Sequence, residues 1–386
     1  MIRRQYLSLL KDRLNRYPAV ALLGPRQAGK TTLAKLLGGQ YFDLEQTADR
    51  LSLDIEWDRL IESKELIILD EAQECPDIFK RIRGTIDHDR KRNGRFLLLG
   101  SVSPALMKQV SESLAGRMAL MNLTPFIWEE LPKENKEYLW LYGGYPDGGI
   151  LRRSSYPRWQ QNYLDLLAGK DLPAWGLPAK PQVTRRLFKM LAAVHGQTLN
   201  ASQIAKSLDI SYKTVISYLD YLEGAFLIRR LPPYFANLKK RLVKSSKIYW
   251  RDSGVLHALN NVATEKDLFN RPWVGASWEG FVIGQIIDGL KLADRIFEPY
   301  FLRTGDGHEI DLVLDFGSEL WAVEVKLTSE PSISDLERFT KTADMINAKK
   351  RILISRTSKN IDDASRFSCN LDWFLKHLCK KTEVTT

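Results

Sequence analysis

Eight consecutive residues near the start of the chain, Gly24-Pro25-Arg26-Gln27-Ala28-Gly29-Lys30-Thr31, have the spacing G-x-x-x-x-G-K-[ST]. Triphosphate chemistry needs those residue types in that order. Glycines let backbone N–H groups curl around phosphate oxygens, and a helix starting there points its positive end at them. The lysine then reaches the β- and γ-phosphates, and the hydroxyl after it ligates Mg²⁺. The run Gly24, Pro25, Arg26, Gln27, Ala28, Gly29, Lys30, Thr31 and Thr32 is therefore expected to bind ATP, with Lys30 as the phosphate cation and Thr31 as a metal ligand.

Two acids follow at a suitable distance. The apolar run Leu66-Ile67-Ile68-Leu69 ends in Asp70-Glu71. Asp70 is expected in the Mg²⁺ shell, and Glu71 is expected to orient and polarise the attacking water, the step that separates hydrolysis from binding. A third apolar run, Phe96-Leu97-Leu98-Leu99, leads to Gly100 and Ser101, which is expected to sense the γ-phosphate or to position water. Arg117 has the chemistry of an arginine finger or γ-phosphate sensor, acting on its own chain or on a neighbouring subunit; an ordinary surface arginine is the alternative.

A second constellation lies near the other end. Asp311, a hairpin, and then Glu324-Val325-Lys326 on the next strand resemble the PD-(D/E)xK nuclease core, and Glu279 opens the preceding helix as an additional acid. The resemblance implies that Asp311 and Glu324 hold a second Mg²⁺ or Mn²⁺ while Lys326 stabilises or activates a water. Period-two alternation puts Glu324 and Lys326 on one strand face. The alternative is a charged strand edge on which Lys326 neutralises Glu324. His195, His257 and His308 have no metal-binding spacing and are expected to be structural.

The elements that must position these groups follow from the pattern. Apolar runs at Ala19–Leu23, Tyr41–Leu44, Leu66–Leu69 and Phe96–Leu99 alternate with helical stretches, which predicts a parallel sheet covered on both faces over residues 1–125. Residues 126–180 predict a helical connector broken by Gly and Pro. Residues 181–260 predict a capped helix, the turn Asp209-Ile210, a second helix over Ser211–Glu223 and a strand, an order that resembles a winged helix-turn-helix. Residues 261–386 predict the α/β nuclease-like domain.

Charge is uneven. The chain carries +10, and residues 181–260 hold 13 Lys and Arg against four acids, an excess of +9 in that segment. Such a block is a footprint for polyanions or, alternatively, a solvated face. Lys213 and Thr214 on the second helix are candidates for DNA contact, and Arg229, Arg230, Lys239, Lys240 and Arg241 are candidates for phosphate contact. No run approaches the roughly 20 apolar residues of a membrane helix. The N-terminus has no apolar signal core, and Cys75, Cys369 and Cys379 are too few and too dispersed for a disulfide framework, so the expected setting is the cytoplasm.

The runs "GPRQAGKTTL", "LDEAQ", "LLLGSVSPAL" and "SLAGRMALMNLTPF" resemble the AAA+-type predicted ATPases of bacteria and archaea, and "LPPYFANLKKRLVKSSKIYWRDSG" with "WEGFV" extends the resemblance over nearly the whole chain. Ser101 and Ser103 stand where many AAA+ proteins have Asn or Thr. The combined expectation is an ATP-hydrolysing nucleotide switch acting on nucleic acid, with metal-dependent cleavage as a further activity. The rival is a regulatory or scaffold ATPase whose later domains bind a protein or hold a homo-oligomer. A nuclease with a vestigial P-loop is disfavoured by the intact Gly29-Lys30-Thr31 and Asp70-Glu71.

Overall fold

Five short runs build the first sheet. The computed structural model describes residues 2, 4–100, 114–235, 245–377 and 379. In it β1 (Ala19–Leu23), β2 (Gln40–Asp43), β3 (Ile67–Asp70), β4 (Phe96–Gly100) and β5 (Met118–Asn122) lie in the order β2-β3-β4-β1-β5, all parallel. Alternation along β1 divides its side chains between two cores. Val20 and Leu22 join Leu10 and Leu14 of the helix Tyr6–Arg16, while Ala19, Ala21 and Leu23 join Phe79 and Ile82 of the helix Ile78–His88. Burying each large aliphatic side chain contributes about 1.5–3 kcal/mol, so a central strand covered on both faces anchors the sheet.

The edge strand β5 is absent from the sequence-level expectation. Its residues, Met118-Ala119-Leu120-Met121-Asn122, are mostly good helix formers, and Leu120 is half exposed. Backbone pairing to β1 on one side decides its state. Parallel strands share one direction. The loop after Leu23, the acid pair at Asp70-Glu71 and the end of β5 at Asn122 therefore gather on one edge of the sheet, and Arg117 lies on the opposite edge.

The middle of the chain is helical: Lys133–Tyr142, Arg158–Leu166, a π-turn at Leu167–Asp171, and Pro181–Ala193. Next come Ala201–Leu208, a turn in which Asp209 is left-handed (φ 54°), and Tyr212–Gly224. Asn200 caps the first of these two helices by accepting from the Gln203 N–H, and Ser211 caps the second by accepting from the Thr214 N–H. An antiparallel ladder of β6 (Ile228–Leu231) and β7 (Lys247–Trp250) follows.

The long helix Val274–Leu292 leads into β8 (Glu298–Arg303), β9 (Glu309–Asp315) and β10 (Leu320–Val325), an antiparallel meander. After the helix Ile333–Asp344, β11 (Lys350–Ser355) pairs parallel to β10. β12 (Ile361–Asp363), β13 (Arg366–Asn370) and a last helix, Leu371–His377, complete the sheet order β12-β13-β11-β10-β9-β8. Main-chain bonds join the middle ladder to this sheet: Tyr234 N donates to Phe301 O at 2.7 Å, and Phe301 N donates to Pro232 O at 3.0 Å. Among the described residues no helix is long and apolar enough to cross a membrane.

Candidate nucleotide site and acidic cluster

The loop between β1 and the helix Lys30–Lys35 is wound by backbone conformations that its sequence permits. Gly29 sits at φ +92°, in the region that glycine enters at little steric cost, and Gln27 is also left-handed at φ 62°. Gly24 is required for a different reason: a Cβ there would overlap the carbonyl oxygen of Leu123 at the end of β5. Lys30 is buried, and its Nζ donates to the carbonyls of Gly24 (3.0 Å) and Pro25 (3.1 Å). Burial pulls its ammonium below the usual lysine range, against the opposing pull of Glu71 and Asp70.

Asp70 ends β3 directly beside the loop. Thr31 Oγ1 donates to Asp70 Oδ2 at 2.7 Å, and the Tyr41 hydroxyl donates to the same oxygen at 2.8 Å. Glu71 adopts the left-handed region (φ 48°, ψ 49°) and is held by a hydrogen bond from Gln73 Nε2. Arg26, Gln27, Ala28, Gly29, Lys30, Thr31, Thr32 and Glu71 line one cleft of about 470 Å³. Seven of the expected site residues with polar or charged side chains (Arg26, Gln27, Lys30, Thr31, Thr32, Asp70, Glu71) are thus brought together by two strand ends.

Sequence reasoning missed the floor and the apolar wall of this cleft. Arg4 is buried beneath the loop; Nη1 donates to Ala28 O at 2.9 Å, Nη2 to Thr124 O at 2.7 Å and Nε to Glu130 Oε1 at 2.8 Å. Burial pushes the Glu130 carboxyl up and the Arg4 charge pulls it back. Ile2, Leu36, Phe126, Pro146 and Leu151 supply the apolar side. That wall suits the face of a nucleobase, and it is assembled from segments up to 149 positions apart in number, which no local pattern reveals.

Arg117 is not at the phosphate site of its own chain. It precedes β5 at the far edge of the sheet, where its guanidinium grips Asp87 bidentately (Nε to Oδ1 2.8 Å, Nη2 to Oδ2 3.0 Å). The geometry corrects the own-chain finger role. Ser101 lies outside the described residues.

The C-terminal acids converge. Extending the β9–β10 register past Leu312↔Val323 places Asp311 opposite Glu324, so both face one side of the sheet together with Glu309 and Lys326. Lys326 Nζ contacts Glu324 Oε1 at 2.6 Å, and Asp311 Oδ2 accepts from the Val325 N–H at 2.9 Å. The cation at the centre is one the sequence did not single out. Lys247, buried on β7, places Nζ 2.7 Å from Glu309 Oε1, 2.9 Å from Glu279 Oε1 and 3.7 Å from Asp311 Oδ1. Burial works against the Lys247 ammonium, yet Glu279, Asp311 and Glu309 outweigh it and its pKa is raised. Burial and the neighbouring Glu279 and Glu324 push Asp311 well above the usual carboxylate range. Burial likewise raises Glu324, with Lys326 opposing.

This arrangement does not fit the expected second Mg²⁺ or Mn²⁺. One oxygen of each acid is already engaged, Glu309 Oε1 and Glu279 Oε1 by the Lys247 ammonium, Asp311 Oδ2 by a backbone N–H and Glu324 Oε1 by Lys326, so an internal cation already balances the charge a divalent ion would neutralise. Among the described residues no group of three or more His, Cys, Asp or Glu side chains is arranged to hold a metal. His195 and His257 are buried elsewhere, where His257 bridges Leu141 O and Ser277 Oγ. His308 contacts Thr342 at 3.4 Å.

Two of the expected phosphate contacts are already spent inside the protein. Arg229 Nη2 donates to Asp288 Oδ1 at 2.8 Å, a largely buried pair against the long helix. Arg230 is held by Glu223 (2.6 Å) and Asp220 (2.7 Å), both on the helix Tyr212–Gly224. Lys213 remains exposed and Thr214 is half-buried beside the Ser211 cap. Lys239, Lys240 and Arg241 lie outside the described residues.

Residues 16–132 match the family described as AAA domain; residues 133–266 and 274–373 match a Domain of unknown function (DUF8612) and a Domain of unknown function (DUF4143). Uncharacterized proteins of Mycobacterium tuberculosis and Mycobacterium bovis are each 39% identical over 337 residues, which is 86% of this chain and 75% of theirs. The chain belongs to their family. Within it, residues 16–132 are an AAA-type P-loop domain. Among solved structures, the chain is similar to a Walker-type ATPase of Pyrococcus abyssi (TM-score 0.43, 16% identity, 67% of this chain and 96% of that one). It is similar also to a RuvB variant of Thermotoga maritima (TM-score 0.29, 18% identity, 59% of this chain and 88% of that one).

Proposed function

We propose that this protein binds ATP with Mg²⁺ in the loop 24–31 and hydrolyses it. The observation that carries the reading is the Thr31 Oγ1–Asp70 Oδ2 contact of 2.7 Å beside the loop lysine. It puts the hydroxyl and the carboxylate that a magnesium shell needs within reach of one ion. Bound there, Mg²⁺ would neutralise charge developing on the phosphate oxygens. Lys30 exchanges its two loop carbonyls for phosphate oxygens, which offers a full negative charge to an ammonium that burial has left under-solvated. Glu71, at the cleft wall with Gln73 orienting it, accepts a hydrogen bond from water and directs it at the terminal phosphate. Ser101 belongs to this proposal as a γ-phosphate contact. A finger role for Arg117 requires a neighbouring subunit. Magnesium-dependent release of phosphate from ATP by the full chain tests the reading, and absence of turnover removes it.

We read hydrolysis as a switch acting on nucleic acid through the helix Tyr212–Gly224. That helix buries Val215, Tyr218, Leu219 and Leu222 while leaving Tyr212 and Lys213 exposed at its capped start. DNA affinity that falls steeply with salt supports this reading; affinity absent at low salt favours the scaffold alternative. Metal-dependent cleavage is not part of the proposal, because the Lys247 ammonium already neutralises Glu279 and Glu309.

A further inference from the structure

We propose that Arg26 is the residue that tells a nucleoside triphosphate from a diphosphate, and that Asp171 holds it in reserve until a terminal phosphate arrives. The inference deepens the ATP reading and rests on it.

The G-x-x-x-x-G-K-[ST] pattern leaves its third position free, so an arginine there is a property of this chain and not of the loop's spacing. Arg26 lines the same cleft as Lys30, Thr31 and Glu71. Its guanidinium reaches out of the loop: Nη1 donates to Asp171 Oδ1 at 2.7 Å, and Nη2 lies 3.6 Å from Glu45 Oε1. The Arg26 side chain keeps about a third of its surface exposed, whereas Asp171 is largely buried. Arg26 is close enough to Lys30 to add to the pull that lowers the lysine. Two cations facing one cleft favour the ligand with the greater negative charge. A planar guanidinium fork also matches two phosphate oxygens in a way an ammonium does not.

Asp171 gives the transfer a consequence. It ends the π-turn Leu167–Asp171, whose Leu167 and Ala168, with the following Leu172, pack into the core of the middle helices with Leu187 and Leu191. Burial raises the Asp171 carboxyl, and Arg26 is the largest influence holding it down. When Arg26 leaves for the phosphate, a buried carboxylate loses that cation, which disfavours the present seat of the turn. Nucleotide state is thereby passed to the helices that carry Tyr212–Gly224.

The test is binding, not turnover. In a Glu71→Gln background, ATP and ADP affinities are measured by calorimetry with Mg²⁺ present. Arg26→Ala is expected to weaken ATP roughly tenfold to hundredfold, the usual effect of losing a hydrogen bond to a charged group, and to leave ADP within about twofold. Asp171→Asn is expected to tighten ATP roughly threefold or more, and to have no effect on ATP once Arg26 is alanine. Equal losses for ATP and ADP in Arg26→Ala, or weaker ATP binding in Asp171→Asn with Arg26 present, would overturn the proposal, because each makes the pair a scaffold for the loop. If the Glu71→Gln protein binds neither nucleotide, the ATP reading falls first, a result distinct from binding both with Arg26 indifferent.

Discussion

Lys247 and Glu279 meet at 2.9 Å, one on a strand of the middle ladder and the other on the helix that opens the C-terminal region. With Glu309 at 2.7 Å, the lysine neutralises an acidic face that would otherwise repel itself. Lys247→Met should therefore destabilise the protein by about 3–5 kcal/mol, the range for removing one partner of a buried pair. Chemical denaturation measures it, and the double variant Lys247→Met, Glu279→Gln should recover part of the loss. A change under about 1 kcal/mol would show that the carboxyls are protonated and need no cation.

Arg229 and Lys213 separate structure from recognition. Arg229→Ala removes the nearer ion-pair partner of buried Asp288 and leaves Arg251 at 3.5 Å, so it should lower stability by several kcal/mol at most and leave the salt slope of DNA binding unchanged. Lys213→Glu should leave the melting temperature unchanged and weaken DNA binding while reducing the slope. A reduced slope in Arg229→Ala would return that arginine to the contact set.

These two residues also mark how far the sequence carries. Gly24 to Thr31, Asp70 and Glu71 were legible because phosphate chemistry demands neighbouring residues in a fixed order, and strand alternation put Glu324 and Lys326 on one face, while the resemblance to the nuclease core added Asp311. The same alternation from Asp311 would have added Glu309. Lys247 was hidden within a block counted only as net charge, whereas Arg229 was singled out as a phosphate contact with no local sign of its pairing, because Asp288 sits 59 positions away. Arg4 carried no local signal, since its three acceptors come from distant turns. The strands β12 and β13 were missed because one is a three-residue exposed edge and the other mixes polar and apolar residues.

The contribution of the buried histidines to stability should be lost as pH is lowered from about 6.5 to about 4. Burial lowers His257 to about 4 and His195 to about 3, from 6.5. A depressed histidine contributes stability that is present above the unfolded value and lost as pH falls through the folded one, because the unfolded chain then binds more protons. Asp252 acts in the opposite sense: burial raises it from 3.8 to about 6, so its share is present below 3.8 and lost as pH rises through 6. The raised carboxyls of Asp311, Glu324, Glu130 and Asp171 act in the same sense as Asp252, so the histidine share is read as the difference between wild type and a histidine variant. Thermal melts across pH 4–7 check it, and His257→Gln should flatten the acid limb. An acid limb of the same steepness in His257→Gln and wild type would contradict the assignment.

Gly24→Ala should break the loop's seat on β5. The added methyl meets the Leu123 carbonyl oxygen, which cannot swing aside as a side chain would. Loss of nucleotide affinity with about 1–3 kcal/mol of destabilisation is expected. Unchanged affinity by calorimetry would mean that the loop relaxes freely.

The most direct test of the account compares Lys30→Ala with Glu71→Gln in one assay of ATP binding and Mg²⁺-dependent turnover. Lys30 and Glu71 line the same cleft but have different tasks, charge neutralisation for one and water orientation for the other. The account predicts that Lys30→Ala abolishes binding and turnover, and that Glu71→Gln keeps ATP affinity within about threefold while losing at least roughly a hundredfold in turnover, the order of a general-base contribution. Wild-type turnover in either variant would contradict it.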